Sequence, residues 1–99
     1  MQHKWLLAFE EIVADELSEL PLRDRMAIFR SIAELLSDNP SGVAGVKKLV
    51  EKRFEGIWRQ RQGDYRILFE IFSGEIVDQK FTYKGKLKIV SVVHRSQAY

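Results

Sequence analysis

The period of the apolar residues changes once along this chain, at Ser37-Asp38-Asn39-Pro40-Ser41-Gly42. Before that point apolar residues recur at helical spacing, and after it they alternate. Asn39 precedes a proline and is pushed out of the helical region, so the helical half must stop there. Helices first, consecutive strands afterwards and short turns between the strands imply an α+β fold. In that fold an antiparallel β-sheet of about four strands carries an N-terminal αα-hairpin packed on one face.

Within the first half, Trp5, Leu7 and Phe9 alternate and predict a short strand. Phe9, Val13, Leu17 and Leu20 then form a helical stripe, with Glu10 and Glu11 at the end of the helix that favours acids. Pro21 fits the start of a second helix, where its missing N–H is not needed. Leu22, Met26, Phe29, Ala33 and Leu36 mark that helix's stripe, widened by Ile28, Ile32 and Leu35, which predicts a broadly buried helix.

In the second half, 43–53 reads as a connection bearing Lys47, Lys48, Lys52 and Arg53. Strands are predicted over 54–61, 65–72 and 86–95, the last rich in β-branched residues and therefore interior to the sheet. A weaker strand over 75–83 lies between turn signals at Ser73-Gly74 and Lys84-Gly85. The expected order is β-α-α-β-β-β with a possible extra hairpin strand.

A chain of 99 residues supports a single domain spanning 1–99, since halving it would leave neither part a core. No apolar run approaches the roughly 20 residues that span a bilayer, so no membrane partner is expected. There is no Cys, which excludes disulfides and thiolate chemistry and fits a cytoplasmic setting. The net charge of +2 conceals a polarity: residues 1–40 carry eight acids and four bases, residues 41–99 six acids and twelve bases. The second half is where a polyanion would bind if one does, the other reading of its Lys and Arg being a solvated surface.

His3 and His94 are the only histidines, and neither has a partner at metal-ligand spacing, so no metal and no cofactor is expected. The glycines form no phosphate-binding loop. The notable set is Arg59-Gln60-Arg61 followed by Arg66. Arg59 and Arg61 project to the same side of one strand, and Arg66 lies across a tight turn from them. Such a group either holds an anion, for which guanidinium forks are suited, or pairs with Glu55, Glu70 or Asp64. The end of the chain adds His94, a candidate acid or base, Arg95 and Tyr99. His94 and Arg95 are neighbours, so a regular strand would point them to opposite faces.

In order, the chain shows a strand, two helices ending at Asp38-Asn39-Pro40, and then Val46-Lys47-Lys48-Leu49. Gly56-Ile57-Trp58-Arg59-Gln60-Arg61 and Gly63-Asp64-Tyr65-Arg66-Ile67-Leu68-Phe69 follow, with Val93-His94-Arg95 and Tyr99 at the end. This series resembles the RelE/ParE superfamily of type II toxin–antitoxin toxins over nearly the whole chain. The departure is 75–86, where the family has a shorter connection. The resemblance implies a RelE-like, microbial-RNase-like fold and a ribosome-dependent mRNA endoribonuclease that uses no metal. In that reaction the RNA's own 2′-OH attacks the adjacent phosphorus, leaving a 2′,3′-cyclic phosphate and a 5′-OH. Position by position, Arg66 matches the catalytic Arg, Arg61 and Arg59 the basic pair, and Arg95 a second phosphate-stabilising Arg. His94 matches an acid or base and Tyr99 a late stacking or proton-transfer Tyr; Lys48 lies near a position where some members place a base. Lys47, Lys48, Lys52, Arg53 and Arg59 are the expected RNA contacts. Implied partners are a cognate antitoxin, the ribosome and mRNA, with promoter DNA bound through the antitoxin. The other branch of the superfamily, ParE-like inhibitors of DNA gyrase without nuclease activity, is the alternative.

Overall fold

The computed structural model describes residues 2, 3, 5–36 and 39–97, with Gln2 and His3 as backbone alone. Strands β1 (Gln2–His3) and β2 (Leu6–Phe9) are followed by helices α1 (Glu11–Ser18) and α2 (Leu22–Leu35). Strands β3 (Val46–Lys48), β4 (Trp58–Gln62), β5 (Tyr65–Asp78) and β6 (Phe81–His94) complete the sheet, and a 3-10 turn at Arg95–Gln97 follows. The α+β reading holds. β6 is interior, as its β-branched sequence implies, with β5, β4 and β3 succeeding one another antiparallel on one side. On its other side β1 and β2 pair with β6 in parallel, so the sheet is mixed rather than wholly antiparallel. The two helices and the rest of the sheet separate β2 from β6 in sequence, which leaves room for the long crossover that a parallel pair needs.

The core is one cluster. Val13 and Leu17 of α1 and Ile28, Ile32 and Leu35 of α2 meet Ile67, Phe69, Leu87, Ile89 and Val92 of the central strands. The stripe chosen from periodicity on α2 is not the buried one. Leu22, Met26 and Phe29 are 66%, 51% and 44% exposed, whereas the residues that seemed only to widen the stripe form the core contact. Apolar residues cover more than one side of this helix, so spacing alone does not say which side meets the sheet.

Two turn assignments are corrected. The chain does not reverse at Ser73-Gly74 or at Lys84-Gly85. β5 and β6 run as one long hairpin whose turn lies between the paired Asp78 and Phe81, with Gln79 at φ 56°. Gly74, at φ 127°, sits in a bulge: the register passes from Ser73↔Gly85 to Ile76↔Tyr83, one residue longer on β5. Gly85 serves close approach instead. A Cβ there would lie 2.1 Å from the Phe72 carbonyl oxygen and 2.7 Å from the Trp5 ring. The strand expected over 54–61 is shorter, because Lys52–Phe54 forms a 3-10 turn and Gly56 takes φ 83°. The expected connection at 43–53 contains the edge strand β3.

A second bulge lies at Val90, where Leu68 pairs with Ser91 but Phe69 with Ile89. Here β2 has already left the edge of β6 to become α1. The Glu16 carboxylate takes its place, accepting from the Val92 N–H at 2.8 Å and the Ser91 hydroxyl at 2.7 Å. An edge N–H that would otherwise lack a partner is thereby satisfied.

Candidate nucleic-acid interface

Directly paired residues in a sheet share a face. Lys47 pairs with Arg59, and Arg61 pairs with Arg66. Ile67, Phe69, Val92 and Ile89 point toward the helices, so Lys47, Arg59, Arg61 and Arg66 occupy the opposite face, which no described helix covers. The expected cluster therefore exists, spread over three adjacent strands.

The Arg59 and Arg66 guanidiniums are held by backbone rather than by carboxylates. Arg59 donates from Nη1 to the Gly45 carbonyl at 2.7 Å. Arg66 donates from Nη1 to the carbonyls of Gly63 and Tyr65 at 3.0 and 2.9 Å. The exposed Arg61 side chain has no hydrogen bond or ion pair among the described residues, and its direct neighbour across the ladder is another arginine; its backbone N–H donates to the Gly45 carbonyl at 3.0 Å. Backbone carbonyls orient a guanidinium without neutralising it, so the face keeps its positive charge for an incoming anion.

Arg95 belongs to the same end of the sheet by a different route. Its N–H donates to the Asp64 carbonyl at 2.7 Å, and its Nε lies 3.5 Å from the Asp64 carboxylate, both side chains being exposed. His94 is placed elsewhere. It pairs with Tyr65 on the helix side of the sheet, the two rings meeting edge to face at 5.5 Å and 89°. The face parity expected from its adjacency to Arg95 thus keeps His94 off the face of Arg61 and Arg66. The Ser96 N–H donates to His94 Nδ1 at 3.1 Å, so in the neutral ring the proton is on Nε2; the Ser96 Oγ is 2.8 Å from the same nitrogen.

Tyr65 in turn donates to Asp24 of α2 at 3.4 Å. Burial first, and then the Asp24 charge and hydrogen bond, push the Tyr65 hydroxyl above its ordinary value. Beside it opens a polar cavity of about 330 Å³, lined by Arg23, Asp24, Gln62, Asp64 and Tyr65 among others. Gln62 also accepts a hydrogen bond from the Ser31 hydroxyl; Ser31 and Gln60, 3% and 2% exposed, are buried polar residues.

The remaining predicted contacts scatter. Lys48 is on the other side of β3 from Lys47 and lies 5.7 Å over the Trp58 ring. Lys52 and Arg53 are on the loop before β4, with Arg53 bound to Glu51 at 2.9 Å and stacked 4.8 Å over Phe54. Tyr99 lies outside the described residues. Sequence reasoning missed Asp24, Tyr65 and Glu16, which matter only through partners far away in sequence. It also missed Lys84, Lys86 and Lys88, whose alternation is plain once the false turn at Lys84-Gly85 is removed. Among the described residues no group of three or more His, Asp or Glu could hold a metal ion.

No protein-family profile and no curated protein sequence matches the chain. Solved structures do. The RelB–RelE antitoxin–toxin complex from Methanococcus jannaschii is 23% identical with a TM-score of 0.62, covering 90% of this chain and 91% of that one. The archaeal RelE–RelB complex from Pyrococcus horikoshii is 19% identical with a TM-score of 0.66, covering 96% and 99%. The YoeB/ParE toxin from Agrobacterium tumefaciens is 14% identical with a TM-score of 0.69, covering 90% and 96%. The chain has the fold of the RelE/ParE toxins over almost its whole length, and that fold is common to both branches of the superfamily.

Proposed function

We propose that this chain, folded as the RelE/ParE toxins are, is the toxin of a toxin–antitoxin pair and acts as a ribosome-dependent mRNA endoribonuclease in the cytoplasm. The observation that carries the reading is the facing pair Arg61 and Arg66, flanked by Arg59 and Lys47, on a sheet face where carbonyls orient Arg59 and Arg66 and leave them charged. Like charges placed opposite one another cost stability. A dianionic phosphorane between them turns that cost into binding that is strongest in the transition state.

In the reaction the RNA 2′-OH gives up its proton to water or to a general base and attacks the adjacent phosphorus, expelling the 5′-oxygen. Arg66 and Arg61 neutralise the non-bridging oxygens, and Arg95 approaches from the 3-10 turn at Arg95–Gln97, which is bonded to Asp64 of the β4–β5 turn. The leaving 5′-oxygen takes a proton. For that step His94 is assigned as the proton donor through Nε2, its Nδ1 being turned to Ser96. Tyr99 is assigned to stacking on a base, and Lys48 is retained as the alternative base.

The antitoxin would be a protein with an apolar face. Leu22, Met26 and Phe29 of one helix stripe, and Phe9 and Ile12, are exposed apolar side chains that such a partner would cover. Of these, Phe9 and Phe29 line an apolar groove of about 490 Å³ between α1 and α2, together with Val13 and Leu17. Binding of promoter DNA would then occur through that partner.

Mapping mRNA 5′ ends in a translating extract tests the reading. Arg66→Ala should lower cleavage by roughly 10²–10³, and wild-type-like cleavage by this variant would refute it. The gyrase-inhibitor reading draws support from the placement of His94 away from the arginine face. A supercoiling assay run beside the cleavage assay separates the two.

A further inference from the structure

The outer part of the β5–β6 hairpin does not help to build the core: no residue of 72–84 is buried. Its side chains are nonetheless organised. Lys84, Lys86 and Lys88 occupy alternate positions of β6, so they share a face. Phe72 is paired with Lys86, is half-exposed, and lies under the Lys86 ammonium at 4.9 Å from the ring centroid. Leu87 points into the core, so this face is the helix-free one that also bears Arg61 and Arg66.

The two basic patches are separate. Between them Lys88 is held by Glu10 at 2.5 Å and stands opposite Glu70. Phe72 is six residues beyond Arg66 along β5, about 20 Å at the usual strand rise. A segment of several nucleotides spans that gap and a very short one does not. An exposed aromatic ring beside alternating lysines suits unpaired bases and their backbone, since a ring stacks on any base while the ammoniums meet phosphates. β1 pairs with β6 at Thr82 and Tyr83, and Gly85 is seated under Trp5, so the hairpin is braced where it leaves the core.

We infer that the Phe72–Lys86 patch, with Lys84, is a second contact surface for single-stranded RNA, about 20 Å along the sheet from the arginine face and gripping the same strand. The inference rests on the reading of the arginine face as an RNA site. The test uses 2′-O-methyl oligouridylates of three and twelve nucleotides, which lack the attacking hydroxyl, with affinity measured against salt for the full chain. Lys84→Gln/Lys86→Gln should flatten the twelve-mer's log–log salt slope by about 1.4, at roughly 0.7 for each phosphate no longer neutralised. Phe72→Ala should weaken the twelve-mer about tenfold or more. Neither change should alter three-mer binding, which should depend on Arg66.

An unchanged slope and affinity for the twelve-mer overturns the inference while leaving the arginine face intact. An equal loss on both probes also overturns it, by showing that the variants disturb the arginine face. If the variants bind RNA normally but lose affinity for poly-glutamate, the patch belongs to an acidic protein partner instead. If the wild type binds neither oligonucleotide, the reading of the arginine face fails first, and Arg66→Ala in the cleavage assay confirms that failure separately.

Discussion

Arg61→Gln should make this protein more stable and less active. Arg61 stands directly opposite Arg66 in the β4–β5 ladder, where paired Cα atoms lie about 4.5–5.5 Å apart. Arg66 is fixed in place by the Gly63 and Tyr65 carbonyls and cannot swing away without losing two hydrogen bonds. The Arg61 side chain is exposed and bonded to no described residue, so replacing it breaks no side-chain hydrogen bond or ion pair, and its backbone N–H keeps the Gly45 carbonyl. Relief of a directly opposed like-charge pair amounts to about 0.5–1 kcal/mol at low ionic strength. For a domain of this size that is a rise in Tm of about 2–8 °C. The assay is thermal unfolding in 10 mM and in 1 M salt, where the screening length falls from about 30 Å to about 3 Å. The gain should shrink markedly in high salt, and Arg61→Lys, which keeps the charge, should show little of it. Cleavage by Arg61→Gln should fall in the same preparation. A lower Tm at low salt would refute the argument, as would a gain equal at both salt concentrations, because either would mean that the face is not under electrostatic load.

Two further outcomes follow from the geometry. Glu16→Ala removes two charge-assisted hydrogen bonds and strands the Val92 N–H at the sheet edge, so urea denaturation should show a loss of about 2–3 kcal/mol; a loss under about 0.5 kcal/mol would mean that water satisfies that edge equally well. Tyr65 has a raised hydroxyl pKa, so the folded state holds that proton more tightly than the unfolded chain, and its contribution is complete below about pH 10 and lost as pH rises beyond it. Tyr65→Phe should therefore flatten the decline of Tm between about pH 9.5 and 11 relative to wild type, and an identical decline in the two proteins would count against the Asp24 contact.

What could be read from the sequence divides along a physical line. Local signals survived: the break at Asn39-Pro40, the helix start after Pro21, the tight turn at Gly63-Asp64, and the shared side of Arg59 and Arg61. Errors arose where one residue type serves two purposes. Gly74 and Gly85 looked like turn formers because glycine usually is one, but here the first lets a bulge form and the second lets Trp5 approach the backbone. Misreading them cut one hairpin into pieces and hid the alternation of Lys84, Lys86 and Lys88. On α2 the apolar surplus made two stripes equally credible, and only the sheet chose between them. The parallel pairing of β2 with β6 joins the two ends of the chain and leaves no local mark.

The split of the site between two faces also narrows where chemistry can take place. Arg61 and Arg66 are on one side of the sheet and His94 on the other, because alternation along a strand allows nothing else while the strand remains regular. The sides meet only where the strands end, at the β4–β5 turn. There the Gly63 carbonyl receives Arg66, the Asp64 carbonyl receives the Arg95 N–H, and the His94 ring closes on Tyr65. Gly63 takes φ 57°, a left-handed conformation that most side chains disfavour, so the turn places both carbonyls at little conformational cost. A phosphate seated against Arg66 at this rim is the one placement that a cation from the open face and a proton donor from the helix side can both approach. Under the proposed mechanism, a phosphate further in on the open face would meet Arg59 and Lys47 with no proton donor from the helix side, and would be bound without being cut.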